Sequence, residues 1–298
     1  MAQNVTANPK EKTLLSLTND VVLQLFFTKE ENRILLREFL KATTHLTDDD
    51  LIKVEIKNTK LLKEKVEEKD FIVDIHVTSI TGHRVIIEMQ VQNHANFTER
   101  IVSYNARNYA SQLKRGESYT QLKESITLVI VDFRYFDDTE DFFEHILFRR
   151  NNRKIFTKAQ QFYIIDLTKL PSMMTEEKHH WGALFRAQTE EELKMIMETS
   201  EVMKTAGEKL LDLSEDENAR ELAELRELAL RDWHMRYSQP FEDGMKQGIE
   251  QGIDQGKREK AIEIAKCLLA MGVTIDIVEK GSGLAREKLE QLKIEMDN

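Results

Sequence analysis

The chain has 298 residues, a net charge of −10, 7% aromatic residues and one cysteine. That length buries a full core with room for a second, smaller module, and a lone Cys267 excludes an internal disulfide. No apolar run approaches a membrane span, and the polar start MAQNVTANPKEK lacks the apolar stretch of a secretory leader, so a cytoplasmic protein with no membrane partner is expected. The charge alone does not exclude nucleic acid, because it is uneven. Residues 189–230 hold thirteen acids against five bases, whereas 84–115 hold five bases against two acids.

In chain order, Thr18 or Asn19 is placed to cap a first helix through VVLQLFF. Thr28 with Glu31 reads as a capping box opening a second, ENRILLREFLKA. The acidic run at 48–50 leads into LIKVEIKN, which alternates as a half-buried strand does. Two more strands follow, FIVDIHV and RVIIEMQV, joined by a turn containing Gly82. A helix is predicted from Phe97 to Leu113, with Val102, Ala106, Tyr109, Ala110 and Leu113 on its apolar face. SITLVIVDF then reads as a strand buried on both sides. Past Phe136 one strand, QFYIIDL, stands out before Pro171, and helices rich in Glu, Leu and Met run to about Tyr237.

The hairpin carries the chemistry. If Ser79 pairs with His83 across Ile80-Thr81-Gly82, the glycine falls at the left-handed position of the loop, and Asp74 lies opposite Glu88. Val73, Ile75, Val77, Val85, Ile87, Met89 and Val91 then share an apolar face. Asp74, His76, Glu88 and Gln90 share the other. Two carboxylates facing each other across a sheet repel. Either that face is wet, as on many antiparallel sheets, or it is covered and a cation such as Mg²⁺ or Mn²⁺ sits between them. His76, His83 and His94 match no usual zinc spacing.

The order helix–β–β–β–helix–β, with Asp74 and Glu88-x-Gln90 on adjacent strands, resembles the PD-(D/E)XK nuclease superfamily, and within it the Rpn recombination-promoting nucleases, also described as PD-(D/E)XK transposase-like proteins. The strings LTNDVVLQLFF, FIVDIHVTSITGHRVIIEMQVQ, FTERIVSYNARNYASQLKRGESY and GMKQGIEQGIDQG carry the likeness. It implies an α/β, restriction-endonuclease-like core: a central mixed sheet flanked by helices, with a helical C-terminal module. It also implies Mg²⁺- or Mn²⁺-dependent endonuclease activity on DNA, linked to recombination or transposase-like function. Asp74, Glu88 and the Met89 carbonyl would hold the metal. Gln90 stands where the superfamily has lysine, and being neutral it suits positioning water better than stabilising an anion. Asp20 would add an acidic group near the metal or cap a helix. A catalytically weak or inactive nuclease fold that binds DNA or protein is a second reading, and an oligomerisation protein whose hairpin face is only wet surface is a third. On the helix after the hairpin, Arg100, Tyr104, Arg107 and Ser111 form a stripe continued by Lys114 and Arg115, suited to phosphates or to solvent.

A nuclease-like domain over 1–237, its last part (171–237) a helical extension, is expected, then a module over 241–298. Glycines at 244, 248, 252 and 256 would lie on one helical stripe, offering either a homo-oligomer contact or a flexible linker. In the following IAKCLLAMG, Cys267 reads as a small core hydrophobe, a usage that fits a reducing cytosol. Gly272 should end that helix and Thr274 cap the next, in an arrangement resembling a small helix-turn-helix.

Overall fold

A computed structural model describes residues 14–57, 75–93, 96–233, 235–236 and 239–297. The chain divides into two compact units, residues 1–229 and 230–298.

In the first unit the described residues form a six-stranded mixed sheet. Its strands are β1 (Val54–Lys57), β2 (Ile75–Ser79), β3 (Arg84–Gln90), β4 (Ser125–Val131), β5 (Phe143–Arg149) and β6 (Ile155–Asp166), in the order β1-β2-β3-β4-β6-β5. The central β3, β4 and β6 run parallel and the outer pairs antiparallel. A parallel β3–β4 neighbourhood requires a crossover, and α4 (Phe97–Ala110) supplies it. Every residue of β4 is buried. Ile126, Leu128 and Ile130 feed the larger core, while Val129 and Val131 feed a second one with Phe97 and Ile101 of α4. That division explains why the strand reads as an unbroken apolar run.

The larger core lies between the sheet and the helices α1 (Asp20–Thr28), α2 (Arg33–Thr43), α5 (Glu177–Arg186), α6 (Glu190–Met197) and α7 (Glu201–Glu215). Phe27 stacks on Phe39 at its centre, and Trp181 and Phe185 meet the Phe39 ring at steeper angles. Asn19 caps α1, its side chain accepting from the Val21 and Val22 amides. The expected Thr28 capping box does not form. Thr28 ends α1 and donates to the Gln24 carbonyl at 2.7 Å, and a short 3₁₀ turn leads into α2. Residues 48–51 are not the approach to a strand. Thr47 and Asp50 make a reciprocal cap that turns them into α3 (Asp48–Leu51), so β1 starts only at Val54.

The sequence reading found only the end of the β5–β6 hairpin. β5 is an edge strand with register shifts at Leu147–Arg149 and mostly exposed side chains. It therefore shows neither the alternation nor the apolar run that marks a strand. The chain of the first unit closes with α8 (Glu217–Trp233), which the unit boundary crosses; its Leu222 and Leu225 pack on Val21 and Leu25 of α1.

The second unit contains α9 (Gln239–Ala270), α10 (Ile275–Ser282) and α11 (Arg286–Asp297). Ala265, Val278, Leu289 and Leu292 form its small core. Gly272, at φ +80°, follows α9, and Thr274 precedes α10 without a side-chain cap bond. Cys267 is exposed rather than a core residue, because the packed stripe of α9 passes through Ala265, Leu268 and Leu269 instead. Among the described residues no helix is long and apolar enough to cross a membrane.

Candidate metal centre

The β2–β3 hairpin forms in the expected register. The Ser79 amide donates to the His83 carbonyl at 2.9 Å and the Gly82 amide to the Ser79 carbonyl at 3.0 Å. Gly82 sits at φ +92°, where a side chain would be strained. Ile75 pairs with Ile87 and Val77 with Val85. These four and Met89 enter the larger core. Val91 lies past the end of β3 and is exposed, so it leaves the apolar face. Asp74, Val73 and His94 lie outside the described residues.

The other face of the hairpin is not wet at its centre. Glu88 is 3% exposed, beneath the first turn of α4. From that turn Arg100 Nη2 donates to Glu88 Oε1 at 2.6 Å and to Gln90 Oε1 at 2.8 Å. Gln90 in turn donates from Nε2 to the Gln92 carbonyl at 3.0 Å. The guanidinium carbon stands 5.2 Å from the centroid of the Phe97 ring, an arrangement that favours a cation. The pairing is one-sided: Glu88 Oε2 and Arg100 Nε are both buried without a hydrogen-bond partner among the described residues. Burial pushes the Glu88 carboxyl above its ordinary range, and the Arg100 charge pulls it only part of the way back. Burial likewise lowers the neighbouring His76 imidazole. A buried acid with one idle oxygen costs stability.

A family model for the PD-(D/E)XK nuclease family transposases matches residues 17–239, about three quarters of the chain. The chain belongs to that family. No curated protein and no solved structure matches it significantly. Membership agrees with the mixed, helix-flanked sheet, and makes the chain a member of a nuclease family.

For a PD-(D/E)XK nuclease family transposase, the donor set around Glu88 fits a hard divalent cation. An idle, buried carboxylate oxygen beside an amide oxygen is the kind of ligand Mg²⁺ and Mn²⁺ prefer. Among the described residues no three His, Cys, Asp or Glu side chains converge on a metal position, so a complete set would need Asp74. The zinc alternative gains nothing: His83 faces Asp50 at 3.6 Å and Glu124 at 3.7 Å instead. Asp20 pairs with Arg226 of α8 at 2.6 Å, and Asn19 takes the capping role.

The helix that covers the site differs from its sequence reading. Val102, Ala106 and Ala110, expected to face the core, are exposed, and the buried stripe is Phe97, Ile101 and Asn105. The sheet beneath explains this, since its polar atoms need polar partners. Asn105 Nδ2 donates to the carbonyls of Ser125 and Gln161 and to the Thr127 hydroxyl. The phosphate stripe therefore splits. Arg100 turns inward to Glu88, Tyr104 is half-buried, and Ser111 Oγ accepts from Arg84 Nη1 at 2.9 Å. Arg107, Lys114 and Arg115 remain exposed. The sequence reading missed the Arg100–Glu88 pair. A signal existed: a crossover helix must fold back over the strand it leaves, so its first-turn arginine lies above that strand.

Proposed function

We propose that the chain is a Mg²⁺- or Mn²⁺-dependent DNA endonuclease that hydrolyses phosphodiester bonds, in recombination or transposase-like reactions. One observation carries this reading: Glu88 is buried on a sheet yet keeps Oε2 idle and is only half neutralised by Arg100. In this reading Asp74, Glu88 and the Met89 carbonyl hold the ion. The hairpin register, in which paired positions sum to a constant through Ile75 and Ile87, supports Asp74 opposite Glu88. A bound divalent ion supplies an acidified water and offsets phosphoryl charge. The chain's own groups do the rest. Gln90 orients water by its amide, Arg100 is within reach of a phosphate oxygen once Glu88 no longer needs it, and Tyr104, Arg107, Ser111, Lys114 and Arg115 hold the DNA backbone along α4.

The test compares the full chain with its Asp74→Ala and Glu88→Ala variants on supercoiled plasmid with Mg²⁺ or Mn²⁺. Nicking by wild type alone is the expected result. Equal nicking by all three, or none by any, overturns the reading.

A second reading, a catalytically weak fold that binds DNA or protein, is favoured by the same Gln90, whose amide oxygen already serves Arg100. Plasmid binding without nicking by wild type selects it. The reading also includes a homo-oligomer formed through the glycine repeat of α9 and a cytoplasmic location.

A further inference from the structure

Residues 147–158, LFRRNNRKIFTK, carry five bases and no acid in a chain whose net charge is −10. They are the tip of the β5–β6 hairpin. β6 pairs with β4 only from Gln160 to Asp166, whereas β5 stays paired with β6 out to Arg149 and Ile155. The tip is therefore a two-stranded ribbon running past the end of its neighbouring strand. Its turn is closed by bonds from the Arg150 amide to the Lys154 carbonyl at 2.9 Å and from the Arg153 amide to the Arg150 carbonyl at 2.8 Å.

Charge and apolar surface are combined on this ribbon. Arg149, Arg150, Arg153, Lys154 and Lys158 are all exposed. Unlike Arg134, which Asp137 and Glu140 hold, none of the five forms an ion pair with a described residue. Between them Phe156 is 74% exposed and Phe148 47%, with Ile146 and Ile155 also in solvent. An isolated ribbon gains nothing from exposed phenylalanines, and nothing in a folded monomer requires five unpaired cations on one turn. Both features suit a polyanion that has apolar surfaces within reach of its phosphates.

We propose that the β5–β6 ribbon is a second DNA-binding element, separate from the metal centre, which grips duplex backbone through Arg149, Arg150, Lys154 and their neighbours while Phe156 presses on the sugars and base edges of a groove. Two-stranded ribbons fit DNA grooves, and apolar wedges beside basic residues are a recurrent way to hold a distorted duplex. The inference takes from the nuclease reading only that the partner is DNA; no step of hydrolysis is asked of the ribbon. Its distance gives it a purpose. Glu88 is in one sheet row with Ile164 of β6, which pairs with Glu144 of β5, and Ile155 pairs with Arg149, so the bulged β6 covers in nine residues what β5 covers in five. At about 3.3 Å per residue of β5 that is roughly 17 Å, or about five base pairs at 3.4 Å each. A duplex held there is gripped about half a helical turn from the bond being cut.

The experiment uses the full chain without metal and a 30-base-pair labelled duplex, followed by fluorescence anisotropy over a range of salt. The variants are Arg149→Gln/Arg150→Gln/Lys154→Gln and, separately, Phe156→Ala. For the triple variant, the slope of log affinity against log salt should fall by about 2–3, at about 0.9 per lost phosphate contact, with at least tenfold weaker binding. Phe156→Ala should weaken binding severalfold with the slope unchanged. Melting curves check folding. If the triple variant is destabilised, the three single changes are measured instead, each expected to lower the slope by about one. Unchanged affinity and slope would overturn the proposal. So would failure of wild type to bind the duplex, or a loss confined to phosphatidylserine vesicles with DNA binding intact. Glu88→Gln, run alongside, should lose nicking and keep the ribbon's contribution, so the two readings fail separately.

Discussion

Glu88 and Arg100 set the character of the site residue by residue. A guanidinium that shares one nitrogen between a carboxylate and an amide leaves Glu88 Oε2 and Arg100 Nε without partners among the described residues, and a buried charge is costly unless fully paired. Arg100 is thus the cation that Glu88 has among the described residues, and under the proposed function it would compete with an arriving metal ion. Arg100→Met keeps an apolar stem on Phe97 and removes that competition. The metal-free variant should melt lower than wild type, because Glu88 loses its only partner among the described residues. Its affinity for Mn²⁺ should rise about tenfold, equal to about 1.4 kcal/mol. Titration calorimetry reads the affinity, and saturating Mn²⁺ should recover the lost melting temperature. Weaker Mn²⁺ binding by the variant would show that Arg100 assists the ion rather than displaces it.

At the scale of elements, the joints deserve as much weight as the strands. Asp50 closes the cap of α3 by accepting from the Thr47 amide at 3.0 Å and hydroxyl at 2.8 Å. It also accepts from the Thr81 hydroxyl of the hairpin turn at 2.8 Å. These bonds, the Thr47 amide foremost, hold its carboxyl down at about 2. A depressed acid contributes stability above its unfolded value of 3.8 and loses it as pH falls through the folded value. Asp50 lies near the surface, where solvent screens part of the effect, so about 1–2 kcal/mol at neutral pH is expected. Denaturant melts of wild type and Asp50→Ala should differ by that amount at pH 7. The gap should narrow between pH about 4 and about 2; a constant gap would rule the carboxylate out as its source. Capping of this kind was only partly legible in the sequence. The hairpin register and β4 could be read because one turn glycine and a largely apolar strand ending in LVIV leave few choices. α3 could not, since an acidic run before an alternating segment reads equally well as a loop. The buried stripe of α4 misled for a different reason: it meets apolar sheet at Phe97 and Ile101 but a polar patch at Asn105, so Asn105, not Val102, faces inward. β5 escaped because an edge strand has no buried face to announce it.

For the whole molecule, the sum of charges hides its arrangement. Basic residues gather on the ribbon and along 84–115, while acids gather at 189–230. Net charge thus says little about where a polyanion would dock. The glycine repeat raises a similar question of what one chain can explain. A Cβ added at Gly244, Gly248, Gly252 or Gly256 would meet nothing within 4 Å, yet all four lie within the 32-residue α9. Each costs about 1 kcal/mol of helix stability relative to alanine, and no contact among the described residues offsets it. Met245, Ile249 and Ile253 lie beside them, all more than half exposed. If a second copy of the chain packs there, close approach of two helices is what the glycines provide. Gly248→Leu/Gly252→Leu should then lower the mass measured by sedimentation. Gly248→Ala/Gly252→Ala should weaken assembly while stabilising the helix itself. In a chain that does not self-associate, both changes leave the mass alone and alanine simply raises helix content by circular dichroism. An unchanged mass in the leucine variant would therefore remove the oligomer from the proposed function and leave the repeat without a role in assembly.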